Sequence, residues 1–173
     1  MVINTKKSSC LPVGPRNKVQ CSNIMTISKS ETKWYSEIRY LGVSITSGSV
    51  FSCSVRYSKQ AVYRTFNAIF GKNGRIASND VVVELFKNKC MPVLLYGTEA
   101  CPMKKSHINS LQFVVNSCFS KIFNTRSKEV IQVCQHYFNC EPISELISRL
   151  THKFQCKYGM LDNLLCSTVC SVL

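Results

Sequence analysis

The chain has 173 residues, of which 45% are hydrophobic and 18% are charged, a balance that excludes a disordered polymer and allows one or two small domains with an apolar core. It carries 22 lysines and arginines against 9 aspartates and glutamates, which gives a formal net charge of +13. This excess favours a polyanionic partner such as nucleic acid, because summed positive potential attracts phosphate backbones.

Residues 1–50 have the pattern of short strands and turns. Ser9 to Val13 and Asn23 to Ile27 are predicted to pair as two short strands. Residues Ile38 to Thr46 alternate between apolar and polar, which predicts one further strand. Its apolar face would contain Leu41, Val43 and Ile45. Strands this few and this short need another surface to pack against.

From about residue 51 the apolar period becomes helical, and a series of helices is predicted up to residue 159. The first runs from about 55 to 72, with an apolar stripe ending at Phe70 and glycines, Gly71 and Gly74, as stops. The expected starts of the later helices are Ser78 or Asn79, Ser106, Thr125 or Ser127, and Pro142. Pro92 is expected to end or kink the second helix.

The pattern therefore predicts a mainly α chain with a small N-terminal β segment, that is, an α+β fold. Three parts are expected: a β segment at 1–50, a helical domain at 51–159, and a short apolar tail at 160–173. No uninterrupted apolar run approaches the ~18 residues that span a bilayer, so no transmembrane segment is predicted.

The eleven cysteines do not indicate a disulfide framework. Their number is odd, the chain is not short, and residues 1–10 contain lysines but no apolar signal-peptide core. We therefore expect an intracellular location, nuclear or cytoplasmic, where the cysteines pack as small apolar residues.

Several segments occur in a characteristic order: Ile3 to Ser8, Trp34 to Thr46, Tyr63 to Lys72, Pro92 to Gly97, and Glu99-Ala100-Cys101. In this order and spacing they resemble the reverse transcriptase of a non-LTR (LINE-like) retrotransposon, in the stretch after its catalytic aspartates. The resemblance covers roughly residues 2 to 158. It implies that the β segment is the end of the palm with its primer-grip hairpin, and that the helices form a thumb-like bundle. The implied function is to hold an RNA–DNA or DNA primer–template duplex as a fragment of an RNA-directed DNA polymerase.

Catalytic residues are not predicted in this chain. Polymerases hold two divalent metals with clustered carboxylates, whereas the only aspartates here, Asp80 and Asp162, have no strand-turn-strand setting with a second acid. By family order the paired aspartates, with the rest of the palm and the fingers, would lie upstream of Met1. Mg²⁺ is therefore implied for an intact enzyme, and no cofactor and no activity are expected for this chain alone. Lys7 matches the family's lysine near the incoming triphosphate, but without the aspartates a solvated lysine is the favoured interpretation here.

The candidate nucleic-acid-binding residues belong to two features. Tyr40 and Gly42 lie in the segment that resembles the primer grip, where a glycine allows close approach of a strand. The helix near 55–72 has a polar face opposite its apolar stripe. That face carries Arg56, Lys59, Tyr63 and Asn67, and Lys72 and Arg75 are expected to extend its charge. A basic face with an aromatic residue suits a phosphate backbone, although a solvated outer face fits the same pattern.

Other interpretations remain open at this point. A region with Cys134, His136, Cys140, His152 and Cys156 invites a zinc site, but no Cys-x2-Cys pair occurs and no metal site is predicted. The last four residues, from Cys170, formally match a prenylation box, although Ser171 is not aliphatic. The alternative to a polymerase fragment is a free-standing basic helical module that binds protein or membrane.

Overall fold

The computed structural model describes residue 4 and residues 7–27, 29–73 and 76–160. The described residues up to Val55, together with Cys101–Met103, form one unit, and the rest form a second. The first unit holds short antiparallel strands and the second holds helices. The predicted α+β class, mainly helical with a small N-terminal β segment, is confirmed at this level. The first unit extends past residue 50, because a strand at Ser52–Ser54 pairs within it.

The first unit contains two small antiparallel sheets. In one, β1 (Ile24–Met25) pairs with β2 (Glu31–Thr32). In the other, three strands lie in chain order: β3 (Glu37–Tyr40), β4 (Val43–Thr46) and β5 (Ser52–Ser54).

The predicted pairing of Ser9–Val13 with Asn23–Ile27 is wrong. Cys10 and Val13 instead make single bridges to Trp34 and Gly48. The segment after Asn23 pairs locally, because the backbone N–H of Thr26 donates to the carbonyl of Ser30 at 3.0 Å and closes a short turn. A short loop costs less closure entropy than the longer one that the predicted pairing required.

The predicted single strand from Ile38 to Thr46 is a hairpin. Leu41 and Gly42 have φ angles of 46° and 84°, as the two central residues of a type I′ turn require. Tyr40 pairs with Val43 across this turn, and Leu41 is 73% exposed. Leu41 therefore does not share a buried face with Val43. Tyr40 and Val43 share one face of the hairpin, whereas an unbroken strand would place them on opposite faces. The apolar–polar alternation runs through the turn residues and so does not mark the turn.

The second unit is a helical bundle. Its elements are α1 (Arg56–Asn73), α2 (Asn79–Leu85), a π-helical turn (Phe86–Cys90), α3 (Met91–Leu95), α4 (Lys105–Ile122), α5 (Lys128–Tyr137) and α6 (Ile143–Gly159). Ser78 and Ser127 are the N-caps of α2 and α5, as predicted, and the Ser127 hydroxyl accepts from the N–H of Val130. Two details are wrong: Gly71 lies inside α1, and α4 begins before Ser106.

The helix does not end at Pro92, because the π-helical turn before it accommodates the proline. Proline has no N–H, and its ring crowds the carbonyl of the preceding turn. The N–H of Met91 donates to the carbonyl of Phe86, five residues back. This widening lets the helix continue from α2 through Pro92 to the end of α3, as π-bulges commonly do at such positions.

The core of the second unit is built around three phenylalanine rings. Phe86 lies edge-on to Phe66 and to Phe119, with ring centroids 6.0 and 5.9 Å apart. All three side chains are buried. The same core includes the fully buried side chains of Val62, Val82, Val83, Leu94, Leu111, Val114, Val115 and Ile143. The predicted apolar stripes of α1 and α4 thus supply a large share of the core, together with buried residues of the segment from α2 to α3.

Two buried cysteines make the stability of this core depend on pH. Burial raises the pKa of the Cys90 thiol from 9.0 to about 11. Burial also raises the pKa of Cys118 to about 12, with Cys90 adding to the shift and Lys121 opposing it. The unfolded chain loses these protons near pH 9, whereas the folded chain keeps them. The stability that the two thiols contribute is therefore fully present below the unfolded pKa and is lost as the pH rises through the folded pKa values. We expect a loss of about 1 kcal/mol per thiol between pH 8 and pH 10.

Urea unfolding followed by circular dichroism at the two pH values, under reducing conditions, measures this loss. The double variant Cys90→Ala, Cys118→Ala is less stable but should lack that part of the pH dependence. An equal loss in wild type and variant would show that the thiols do not carry it.

Candidate nucleic-acid interface

Helices α1 and α4 lie side by side, and two lysines connect them. Lys59 Nζ donates to Ser110 Oγ at 2.7 Å, and Lys121 Nζ donates to Asn67 Oδ1 at 3.0 Å. Both residue numbers rise together along the contact, so the two helices run in the same direction there. We call these four residues, Lys59 and Asn67 of α1 with Ser110 and Lys121 of α4, the α1–α4 seam.

Lys121 is held at the surface by aromatic rings as well as by Asn67. Its Nζ lies 5.1 Å from the ring centroid of Phe70 and 5.9 Å from that of Phe66, within the range of a cation–π interaction. An ammonium group has three N–H donors, and Asn67 takes one of them. The charge is therefore positioned in advance while donors are left for other acceptors.

The helices of the seam contain no carboxylates. Neither α1 nor α4 includes an aspartate or a glutamate. Their cations are Arg56, Lys59, Arg64, Lys72, Lys105 and Lys121. Cations without acidic neighbours on the same helices give a positive field, which favours phosphate groups over neutral ligands.

The structure brings together most of the residues predicted on the polar face of the first helix. Lys59 and Asn67 both hydrogen-bond to α4, and Tyr63, half-buried, lies between them in the sequence on the same side of α1. Arg56 is exposed at the first position of the helix. This face is thus a contact between helices that also reaches solvent, rather than a fully solvated outer face.

Of the two residues expected to extend this charge, Lys72 lies on a different side of α1. Lys72 is exposed but lies five positions after Asn67, about 140° around a helix of 3.6 residues per turn. Arg75 lies outside the described residues.

Sequence reasoning missed Lys121. After Lys105 it is the only charged residue of α4, and a lone lysine near the end of an apolar helix is a weak signal. Its partnership with Asn67 depends on how α1 and α4 pack, which the pattern of either helix does not specify.

In the first unit the predicted residues of the hairpin are at its tip. Tyr40 is 64% exposed, and Gly42 is exposed in the turn. A glycine at a φ of 84° meets the backbone requirement of the turn and keeps side-chain atoms away from an approaching strand. The tip thus presents an aromatic ring beside a bare segment of backbone.

Lys7 lies in a cleft of the first unit. The cleft has a volume of about 460 Å³ and is lined by Lys7, Ser8, Ser9, Glu31, Lys33, Tyr35, Glu37, Ile38 and Arg39. One carboxylate oxygen of Glu37 is buried without a hydrogen-bond partner among the described residues. Because carboxylates offset the cations, this cleft favours an anion less than the α1–α4 seam does.

Metal ligands are not gathered in the part of the chain that the structure describes. No group of three or more His, Cys, Asp or Glu side chains there could hold a metal ion. Cys156 Sγ and the ring nitrogens of His152 are 3.8 Å apart and exposed, and burial raises the pKa of the Cys140 thiol.

No helix among the described residues is long and apolar enough to cross a membrane. Cys170, in the formal prenylation box, lies outside the described residues.

Comparison with known proteins gives no function for this interface. No protein-family model, curated protein or solved structure matches the chain. The likeness to reverse transcriptases therefore depends on the sequence segments, and the candidate interface depends on its own geometry.

Proposed function

We propose that the chain is the part of a non-LTR retrotransposon reverse transcriptase that follows the catalytic aspartates, and that it binds the primer–template duplex. The observation that carries the proposal is the α1–α4 seam, where two lysine ammonium groups are held on helices without carboxylates. The ordered sequence segments support the same assignment. In this proposal the second unit is the thumb and the β3–β4 hairpin is the primer grip.

The seam suits a phosphate backbone rather than a particular base sequence. Lys59 is part of α1, and Lys121 bonds to Asn67 of the same helix. Lys59 and Asn67 are eight residues apart, which is about 12 Å along the helix axis. Phosphates recur every ~3.4 Å along each strand of a duplex, so the two cations would contact the backbone at separate points. Contacts to phosphates fix orientation but carry no sequence information.

The hairpin tip would contribute a different contact. The ring of Tyr40 offers an apolar surface to a sugar or an unpaired base, and Gly42 lets the strand approach the turn closely. Neither contact releases counterions, so the tip would add affinity without salt dependence.

The test is binding of the whole chain to RNA–DNA and DNA duplexes of unrelated sequence, measured by fluorescence anisotropy at several salt concentrations. We expect similar affinities across sequences. The logarithm of the association constant should fall with the logarithm of salt concentration, by about 0.9 for each phosphate contacted on B-form DNA. An association constant that does not change with salt concentration, or binding to only one duplex sequence, would contradict the proposal.

Primer extension is expected to be absent with either Mg²⁺ or Mn²⁺. Asp80 is exposed in the first turn of α2, and no group of three or more possible metal ligands forms there among the described residues, whereas a polymerase holds its two metals with clustered carboxylates. Template-dependent incorporation above a control without protein would show that this chain contains its own metal-binding acids.

A second candidate, a protein-binding helical module, is favoured by one observation. Val130, Val133 and Tyr137 recur at helical spacing on α5, and all three are exposed. If the chain fails to bind any duplex, this apolar stripe makes a protein partner the better proposal.

A further inference from the structure

Helix α6 continues past the core of its unit. Its buried residues, Ile143 and Ile147, lie in the first two turns. From His152 to Lys157 every residue is exposed. A helical segment without a buried stripe gains little from packing, so its surface is available for a partner.

This exposed part of α6 is cationic. Lys153 and Lys157 lie one turn apart on the same side of the helix, and neither has an ion-pair partner among the described residues. Arg149 pairs with Glu141 at 2.9 Å. No aspartate or glutamate occurs from Leu146 to Met160. Like charges at this spacing repel each other by a few tenths of a kcal/mol, and a bound phosphate would remove that repulsion.

Each of these lysines precedes an aromatic residue. Phe154 and Tyr158 stack on each other, with ring centroids 5.9 Å apart and ring planes inclined by 24°. Phe154 is 38% exposed. The segment therefore repeats a lysine–aromatic pair after one helical turn, placing cations beside a stacked pair of rings.

We infer that residues 149–159 of α6 form a second nucleic-acid contact, which binds a single strand by base stacking on Phe154 and Tyr158 and by phosphate contacts from Lys153 and Lys157. The inference rests on the proposed nucleic-acid function. Stacking platforms combined with basic side chains are how proteins hold single strands without sequence preference. A duplex keeps its bases paired and stacked, so it offers these rings much less.

A membrane surface fits this segment less well. Phe154 and Tyr158 have the two lysines on one side of them around the helix and the polar residues Thr151, Gln155 and His152 on the other. The exposed apolar face of this segment is therefore narrow. Helices that lie in a membrane interface need a broader apolar face.

The experiment compares a blunt duplex with the same duplex carrying a single-stranded overhang of about six nucleotides, using the whole chain and fluorescence anisotropy. The wild type should bind the overhang substrate about five- to tenfold more tightly than the blunt one. The double variant Phe154→Leu, Tyr158→Leu should lose that gain and keep its blunt-duplex affinity and salt dependence. Leucine keeps the helix and an apolar side chain but removes the ring face. Phe154→Tyr with Tyr158→Phe keeps both rings and should bind as wild type.

The outcomes separate this inference from the proposed function. Salt-dependent binding of the blunt duplex with no gain from the overhang overturns the α6 contact and leaves the duplex proposal standing. A gain that survives in the leucine variant overturns the stacking role. Failure to bind the blunt duplex, with overhang binding lost in the leucine variant, supports the α6 contact and removes the duplex proposal. Equal binding of anionic phospholipid vesicles, lost in the same variant, assigns the segment to a membrane and overturns the inference.

Discussion

Phe86→Ala is expected to lower the free energy of unfolding of the helical unit by about 3–5 kcal/mol, as large-to-small substitutions of buried phenylalanines do. The side chain is fully buried and touches Phe66 and Phe119 edge-on. Alanine would remove both ring contacts and leave a cavity between α1 and α4. Because the neighbouring side chains are themselves buried and closely packed, the site has little freedom to collapse around the cavity.

Urea unfolding followed by far-ultraviolet circular dichroism measures this loss, because the helices dominate that signal. Phe113→Ala is the matched control: it removes the same ring from α4, where Phe113 is 67% exposed, and should change stability by no more than about 0.5 kcal/mol. Equal losses in the two variants would show that Phe86 is not at the centre of the core.

The helical part of the fold could be predicted from the sequence because its apolar spacing is regular. The stripe through Val62 and Phe66, and that through Leu111, Cys118 and Phe119, are buried. Serines also marked the starts of α2 and α5. At Ser127 the hydroxyl accepts from the N–H of Val130, which the first turn would leave without a partner.

The strand pairings could not be predicted in the same way. The register of short strands depends on turns, and the turn at Leu41-Gly42 uses a leucine at positive φ, a position where asparagine or glycine is the usual signal. The π-helical turn before Pro92 was also hidden, because the apolar period alone does not specify how a helix absorbs a proline.

Only the α1 residues of the candidate site were predicted from the sequence. The spacing of Lys59, Tyr63 and Asn67 placed them on one face of α1, but it did not indicate which helix packs against that face. Lys121 is 54 residues from Asn67 along the chain, and contacts at such separations are set by tertiary packing rather than by any local pattern.

Removing the two seam lysines together is expected to weaken duplex binding by about 10- to 100-fold near 0.1 M salt, if each contacts one phosphate. The variant Lys59→Gln, Lys121→Gln keeps most of each side-chain stem and its capacity to hydrogen-bond, so the seam should still pack. Its unfolding midpoint should stay close to that of the wild type, which separates lost charge from lost structure.

The salt dependence of duplex binding in this variant tests the central claim most directly. The matched control is Lys89→Gln with Lys128→Gln, which removes equal charge from two exposed positions of the same unit outside the seam. We predict that the seam variant reduces the slope of log affinity against log salt by about two, while the control changes it by much less. Equal losses of affinity and slope in the two variants would contradict the claim, because binding would then be diffuse attraction to a basic protein rather than recognition by the α1–α4 seam.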